Sequence, residues 1–119
     1  MYTYYFEKLN VWAISRKLVK DIYLISSKFP KSELYGFTSQ IRRAAISIPN
    51  NIAEGSARSS KKDQANFTTI AYASAMEVLN LLILGVDLGY LDNQKYLESR
   101  VLLEEVSNKL NALKKSQLA

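Results

Sequence analysis

Turn-forming residues are scarce in this chain, which has four glycines and two prolines among its 119 residues. An all-β domain needs many tight turns, and those turns depend heavily on glycine and proline. The scarcity therefore favours long helices joined by few connectors. A chain of this length fits a single domain, residues 1–119, with one hydrophobic core.

Apolar residues recur at spacings of three and four along most of the chain, which is the period of an amphipathic helix. The pattern predicts four helices, over residues 9–28, 37–55, 60–88 and 93–114. The tail beyond Lys114 is expected to fray. Because short connectors join the amphipathic segments, we expect an all-α fold, an antiparallel up-down-up-down four-helix bundle.

Each predicted helix has its own stripe of residues that should be buried. The stripes of the first two helices are Val11, Ile14, Leu18, Ile22 and Ile25, then Phe37, Ile41, Ala44 or Ala45, Ile48 and Ile52. Those of the last two are Phe67, Ile70, Ala71, Ser74, Val78, Leu81, Leu82 and Leu84, then Leu97, Val101, Leu103, Val106, Leu110 and Leu113. Pro49 lies inside the second stripe and is predicted to kink that helix without ending it.

The predicted helix ends carry residues typical of such positions. Phe29-Pro30 should end the first helix, because proline disfavours the α conformation in the residue before it. Gly55 and Gly89 are suitable C-terminal residues for the second and third helices. The expected N-terminal caps are Ser59 or Ser60 for the third helix and Asp92 or Asn93 for the fourth.

Neither histidine nor cysteine occurs in the chain. Their absence excludes catalytic triads, thiolate nucleophiles, disulfides and most transition-metal sites. We therefore predict no catalytic residue, no metal and no cofactor, and expect that the protein is not an enzyme. The one catalytic alternative is a carboxylate pair, Glu54 and Glu77, which lacks the Glu-x-x-His motifs of di-iron bundles.

The chain shows no recognisable targeting segment. Residues 1–6 lack the cationic start and apolar run of a signal peptide. The most apolar stretch, residues 78–91, is short for a membrane span and is interrupted by Asn80 and Asp87. We expect no membrane association and a cytoplasmic location.

The net charge of +5 and the pI near 9.4 suit a polyanionic partner such as RNA or DNA. Cationic residues concentrate on the first two helices and in the connector before the third. The candidate nucleic-acid-binding residues are Arg16, Lys17, Lys20, Arg42, Arg43, Arg58, Lys61 and Lys62. The alternative is that these charges are simply solvated.

Two further groups of residues have competing interpretations. Asn50, Asn51, Glu54 and Glu77 lie close to core-facing positions and predict a structural polar network, with Arg42 and Arg43 as partners. The third helix is apolar on more than one side, which predicts self-association. The candidate interface residues are Ala73, Leu79, Ile83 and Val86, with tight packing inside one chain as the alternative.

Several ordered segments resemble a known family. They are residues 6–12, Phe29-Pro30, residues 33–36, 40–45 and 47–55, and Phe67, Ala73-Ser74 and Glu77. Together, from about Phe6 to Tyr90, they are similar to the bacterial four-helix-bundle family encoded within intervening sequences of 23S ribosomal RNA genes. Ala73 departs from the pattern, since members often carry glycine there.

The resemblance implies a ring-like homopentamer. It also implies kinship with the accessory protein of diversity-generating retroelements, a basic pentamer that binds a reverse transcriptase and nucleic acid. The leading hypothesis is therefore a non-enzymatic homo-oligomer that binds RNA, DNA or a nucleoprotein partner such as a reverse transcriptase. The alternative is a protein-interaction scaffold with no nucleic-acid role.

Overall fold

Four α-helices form most of the chain in a computed structural model that describes all 119 residues, Met1 to Ala119. They are α1 (Asn10–Ser26), α2 (Phe37–Ser56), α3 (Lys61–Asp87) and α4 (Asn93–Leu118). Short 3-10 turns, Tyr5–Lys8 and Lys31–Glu33, precede α1 and α2, and there is no strand. The molecule measures 43 × 29 × 21 Å. The predictions of an all-α fold and of four helices are confirmed.

One core of 20 buried residues lies between the helices. Each helix packs against the next along the chain, and α1 also packs against α4, so the four helices enclose the core on all sides. The predicted stripes of α1 and α2 are confirmed, because every member is buried except Phe37, which is half-buried. Burial of these branched aliphatic side chains supplies most of the driving force for folding.

The predicted stripes of α3 and α4 are wrong at four positions, which are at least 40% exposed: Ile70, Leu84, Leu97 and Val101. On α4 a polar residue explains the error. Ser99 is only 1% exposed, because its hydroxyl donates a hydrogen bond of 2.8 Å to Asp21 Oδ2 on α1. Val101 lies two residues further on, about 200° around the helix, and so it faces solvent. A hydrophobicity pattern cannot place a serine in the core.

Side-chain caps and one glycine define three helix ends. The Asp63 N–H donates to Ser60 Oγ (3.1 Å), and the Lys95 N–H donates to Asp92 Oδ1 (2.7 Å), so two of the expected caps are confirmed. Gly89, which follows α3, has a φ of +77°, a left-handed conformation that favours glycine. Helix α2 continues through Pro49 to Ser56, as the apolar pattern predicted.

The expected fraying beyond Lys114 is wrong, because α4 continues to Leu118. A tertiary contact accounts for the extra turn. The hydroxyl of Thr68 on α3 donates to Gln117 Oε1 at 2.7 Å. This hydrogen bond links the end of α4 to the start of α3.

Three aromatic rings close the opposite end of the core. Phe29, Phe37 and Tyr90 have ring centres 5.6 to 5.9 Å apart. The Tyr90 hydroxyl donates to Glu33 Oε2 at 2.8 Å. This hydrogen bond to the carboxylate raises the pKa of Tyr90 above its ordinary value, and desolvation and the negative charge of Glu33 act in the same direction.

By length and composition alone, the 27-residue helix α3 is apolar enough to cross a membrane. The shorter stretch considered in the sequence did not reveal this. A core helix of a bundle meets the same criterion, and α3 packs here against both α2 and α4.

Candidate nucleic-acid interface

Three cationic side chains of α1 are exposed to solvent: Arg16, Lys17 and Lys20. The only acidic residue of α1, Asp21, follows them directly but faces α4. There it accepts the hydrogen bond from Ser99 and lies 4.0 Å from Lys95 Nζ, the only ion pair in the protein. The three α1 cations therefore have no carboxylate within ion-pair distance.

A groove of about 600 Å³ between α1 and α2 adjoins these cations. We call it the α1/α2 groove, and its lining consists of Ala13, Arg16, Lys17, Val19, Lys20, Tyr23, Ile46 and Pro49. The lining thus combines three cations with aliphatic side chains and one aromatic ring.

Two arginines near this groove are held by aromatic rings. The Arg16 guanidinium lies 4.8 Å from the centre of the Trp12 ring, and that of Arg42 lies 4.6 Å from the centre of the Tyr23 ring. Arg42 Nε–H also donates to Ser26 Oγ at 2.8 Å, which links α2 to α1. Arg42 is therefore partly engaged in packing, whereas Arg16 is positioned by its ring and keeps its charge at the surface.

Arg43 lies in a different groove, between α2 and α3. This groove of about 550 Å³ has a mostly polar lining that includes Gln40, Ser47, Ser74 and Glu77. The Ser47 and Ser74 hydroxyl oxygens are 2.8 Å apart across it. The adjacent arginines 42 and 43 therefore serve two different surfaces, because neighbouring residues on a helix point about 100° apart.

Arg58, Lys61 and Lys62 form a third cationic group, at the connector between α2 and α3. The Arg58 guanidinium lies 4.5 Å from the centre of the Phe67 ring. Lys61 and Lys62 are exposed in the first turn of α3, and Lys61 lines a separate cavity of about 200 Å³. Two lysines add to the positive end of the α3 dipole, an arrangement that costs stability but attracts anions.

Charge is unevenly divided along the chain. Residues 1–62 hold 11 Lys and Arg against 4 Asp and Glu, whereas residues 63–119 hold 5 against 7. The whole positive excess therefore belongs to α1, α2 and the segments around them.

The predicted polar network differs in composition from the expectation. Asn51 Nδ2 donates to Ser47 O (2.8 Å) and to Ser47 Oγ (3.0 Å), so Asn51 is part of a network. Asn50 and Glu54 are exposed, because they lie two residues past the buried Ile48 and Ile52 and so on the opposite side of α2.

Glu77 is also exposed, and its partner is Gln40, whose Nε2 lies 3.5 Å from Glu77 Oε2. Neither Arg42 nor Arg43 forms an ion pair with Glu54 or Glu77. Hydrogen bonds, and no ion pairs, therefore link α2 to α3: Gln40 contacts the Glu77 carboxylate, and Ser47 contacts Ser74.

The four candidate interface residues have different environments. Leu79 and Val86 are half-buried and pack against the core of the same chain. Ala73 is exposed, and Ile83 is 39% exposed. Part of the apolar excess on α3 is thus covered within one chain, and the interface assignment stays a prediction.

The contact between Arg16 and the Trp12 ring could have been predicted from the sequence. Trp12 and Arg16 are four residues apart, the spacing of neighbours on one helix face. Tyr23 and Arg42 are on different helices, so no local pattern indicates their contact. The same is true of the aliphatic side chains that α2 contributes to the α1/α2 groove.

The fold and the surface define a class: an all-α protein of four helices with exposed cations on its first helix. The family model described as 23S rRNA-intervening sequence protein matches residues 7–112. The chain belongs to this family, and the resemblance seen in the sequence is confirmed. No curated protein matches the chain.

Proposed function

We propose that the protein is a non-enzymatic, homo-oligomeric helical bundle that binds nucleic acid through the basic surface of α1 and α2. The observation that carries the proposal is that three exposed cations of α1, Arg16, Lys17 and Lys20, line one groove with no carboxylate within ion-pair distance. Asp21 would lower the local charge if it faced them, but its hydrogen bond to Ser99 and its contact with Lys95 hold it on the α4 side. Phosphates bind such surfaces by releasing counterions.

A salt titration tests the proposal. Mixed-sequence RNA and DNA are titrated with the protein by fluorescence anisotropy at several ionic strengths. We expect the logarithm of the binding constant to fall linearly with the logarithm of salt concentration. In Lys17→Gln/Lys20→Gln the magnitude of the slope should fall by about 1.4 to 1.8, since each of the two phosphate contacts contributes about 0.7 to 0.9.

The matched control removes the same charge elsewhere. Lys114→Gln/Lys115→Gln changes two lysines at the far end of α4, in the half of the chain without positive excess. Its slope should stay close to that of the wild type. Absence of binding by the wild type at low ionic strength would refute the nucleic-acid role.

The proposed assembly is an antiparallel bundle that forms a homo-oligomer. Contacts between α2 and α3 support the antiparallel course: Gln40 faces Glu77, Ser47 faces Ser74, and Gly55 approaches Phe67. Exposed apolar side chains support self-association: Ile70, Ile83 and Leu84 on α3, and Leu88 directly after it. The family resemblance favours a pentamer. Light scattering that finds a stable monomer at micromolar concentration would refute the assembly.

The second candidate function is a protein-interaction scaffold without a nucleic-acid role. It is favoured by exposed apolar residues that lie away from the cations, Leu97 and Val101 on the outer side of α4. It predicts a stoichiometric protein partner that remains bound after nuclease treatment. A nucleoprotein partner such as a reverse transcriptase would instead be released, at least in part, by the nuclease.

A further inference from the structure

We propose that the α1/α2 groove binds single-stranded nucleic acid, with phosphates on its cationic rim and an unpaired base against its apolar floor. This inference rests on the proposed nucleic-acid role. It adds the form of nucleic acid and the place where it binds. The tests below separate failure of this inference from failure of the broader proposal.

The rim can contact a single backbone. Arg16, Lys17 and Lys20 come from little more than one turn of α1 and span about 6 Å along the helix axis. That distance matches about two successive phosphates of one strand. Since Asp21 faces α4, no carboxylate competes with these phosphates for the rim.

The apolar floor of the groove favours an unpaired base over a duplex. Val19, Ile46 and Pro49 offer aliphatic surface, and Tyr23, which is 38% exposed, offers the part of its aromatic ring that the Arg42 guanidinium does not cover. Bases in a duplex are stacked inside it and cannot reach such a floor, whereas an unpaired base can lay its face on it. An apolar floor beneath a cationic rim therefore binds single strands in preference to duplexes.

Shape leads to the same preference. Proteins that read duplex DNA commonly insert a protruding helix or ribbon into the major groove. Here the cations line a concavity between two helices, so the nucleic acid would enter a groove of the protein. The groove volume of about 600 Å³ also lies within the range of about 300 to 1,000 Å³ typical of pockets for small ligands. A nucleotide is a ligand of that class.

An acidic amphipathic helix is the competing occupant, because it also offers negative charge beside apolar surface. Two features favour the nucleotide. The groove includes an aromatic ring, on which a base stacks, and its charged side chains are all cationic donors that match the acceptor-only oxygens of phosphate.

The test compares oligonucleotides of one length on the full-length protein. A fluorescein-labelled 15-mer of oligouridine, the corresponding RNA duplex and an acidic amphipathic peptide of Glu and Leu are each titrated by anisotropy. Ile46→Ser removes apolar floor without changing charge. Val101→Ser makes a comparable change at a 69% exposed position on α4 and serves as the control.

We expect the wild type to bind the single strand more tightly than the duplex at equal salt. Ile46→Ser should weaken single-strand binding by about fivefold or more, because it removes apolar surface that the base would otherwise bury. Duplex binding and the Val101→Ser variant should stay within about twofold of wild type. Circular dichroism establishes that both variants are folded, and Ala13→Leu, which crowds the groove at an exposed position, provides a second floor variant.

The other outcomes overturn the inference in distinguishable ways. Equal binding of single strand and duplex, unaffected by Ile46→Ser and Ala13→Leu but weakened by Lys17→Gln/Lys20→Gln, leaves the broader nucleic-acid role intact and refutes the groove. Binding of the peptide that depends on Ile46, without binding of oligouridine, assigns the groove to a protein partner. Binding of neither nucleic acid refutes both proposals.

Discussion

Gly55 near the end of α2 packs tightly against α3, and adding one methyl group there should force the two helices apart. A Cβ atom at Gly55 would lie 2.7 Å from Phe67 Cβ and 3.5 Å from Gln64 O. Phe67 Cβ is attached directly to the backbone of α3, so no rotamer change can relieve the contact. Gly55→Ala therefore requires a shift of the helices themselves.

The magnitude follows from two opposed effects. Overpacking of a buried contact costs about 1 to 3 kcal/mol. Alanine has a higher helix propensity than glycine, by at most about 1 kcal/mol, and less near a helix end. The free energy of unfolding should therefore fall by about 1 to 2 kcal/mol, and Tm by about 4 to 8 °C for a chain of this size.

Gly85 on α3 is the matched control, since it is also a buried helical glycine. A Cβ atom there would lie 3.7 Å from Phe37 Cζ and 3.8 Å from Leu91 Cβ, which are ordinary van der Waals distances. Gly85→Ala should therefore gain helix propensity without overpacking and stabilise the protein by about 0.5 to 1 kcal/mol.

Thermal and urea unfolding followed by far-ultraviolet circular dichroism measure both variants under identical conditions. Gly55→Ala should lower Tm and Gly85→Ala should raise it. A Tm of Gly55→Ala equal to or above that of the wild type would refute this expectation, as would a loss of stability in Gly85→Ala as large as that in Gly55→Ala.

Three further predictions concern stability. Asp21→Ala should lower the free energy of unfolding by about 1 to 3 kcal/mol in urea unfolding, because it leaves the buried Ser99 hydroxyl without its acceptor; a neutral effect would contradict the role of this hydrogen bond. Leu103→Ala should cost about 2 to 5 kcal/mol and Val101→Ala within about 0.5 kcal/mol, although both are apolar residues of α4; equal costs would restore the stripe that the sequence predicted. The pKa of Tyr90 is raised in the folded protein, so the unfolded chain loses the phenolic proton first as pH rises past the ordinary value of 10.0. The contribution of the Tyr90 hydrogen bond to stability is therefore complete below that pH and is lost as pH rises through the folded pKa. The difference in Tm between wild type and Tyr90→Phe should therefore shrink between about pH 8 and about pH 11, and a constant difference would contradict the assigned cause.

The sequence predicted which residues belong to the candidate site, but it did not predict how those residues are arranged on the surface. Arg16, Lys17 and Lys20 were found in the sequence, and the structure places them together beside one groove. Arg43 and Lys61 were grouped with them on charge alone, but they line other cavities. A count of cations cannot assign them to surfaces, because the side chains of neighbouring residues on a helix point in different directions, whereas residues distant in the chain can share one surface.

The number of helices, most of their ends and the core stripes of α1 and α2 were determined by the sequence alone. These features depend on local spacing, on caps such as Ser60 and on the conformational limits of glycine and proline, all of which act within a few residues. The pairing of Ser99 on α4 with Asp21, which turns Asp21 toward α4, is a hydrogen bond between residues 78 apart in the chain. The engagement of Arg42 depends likewise on Ser26, 16 residues earlier. A periodic pattern carries no information on such contacts, because they exist only once the helices have packed.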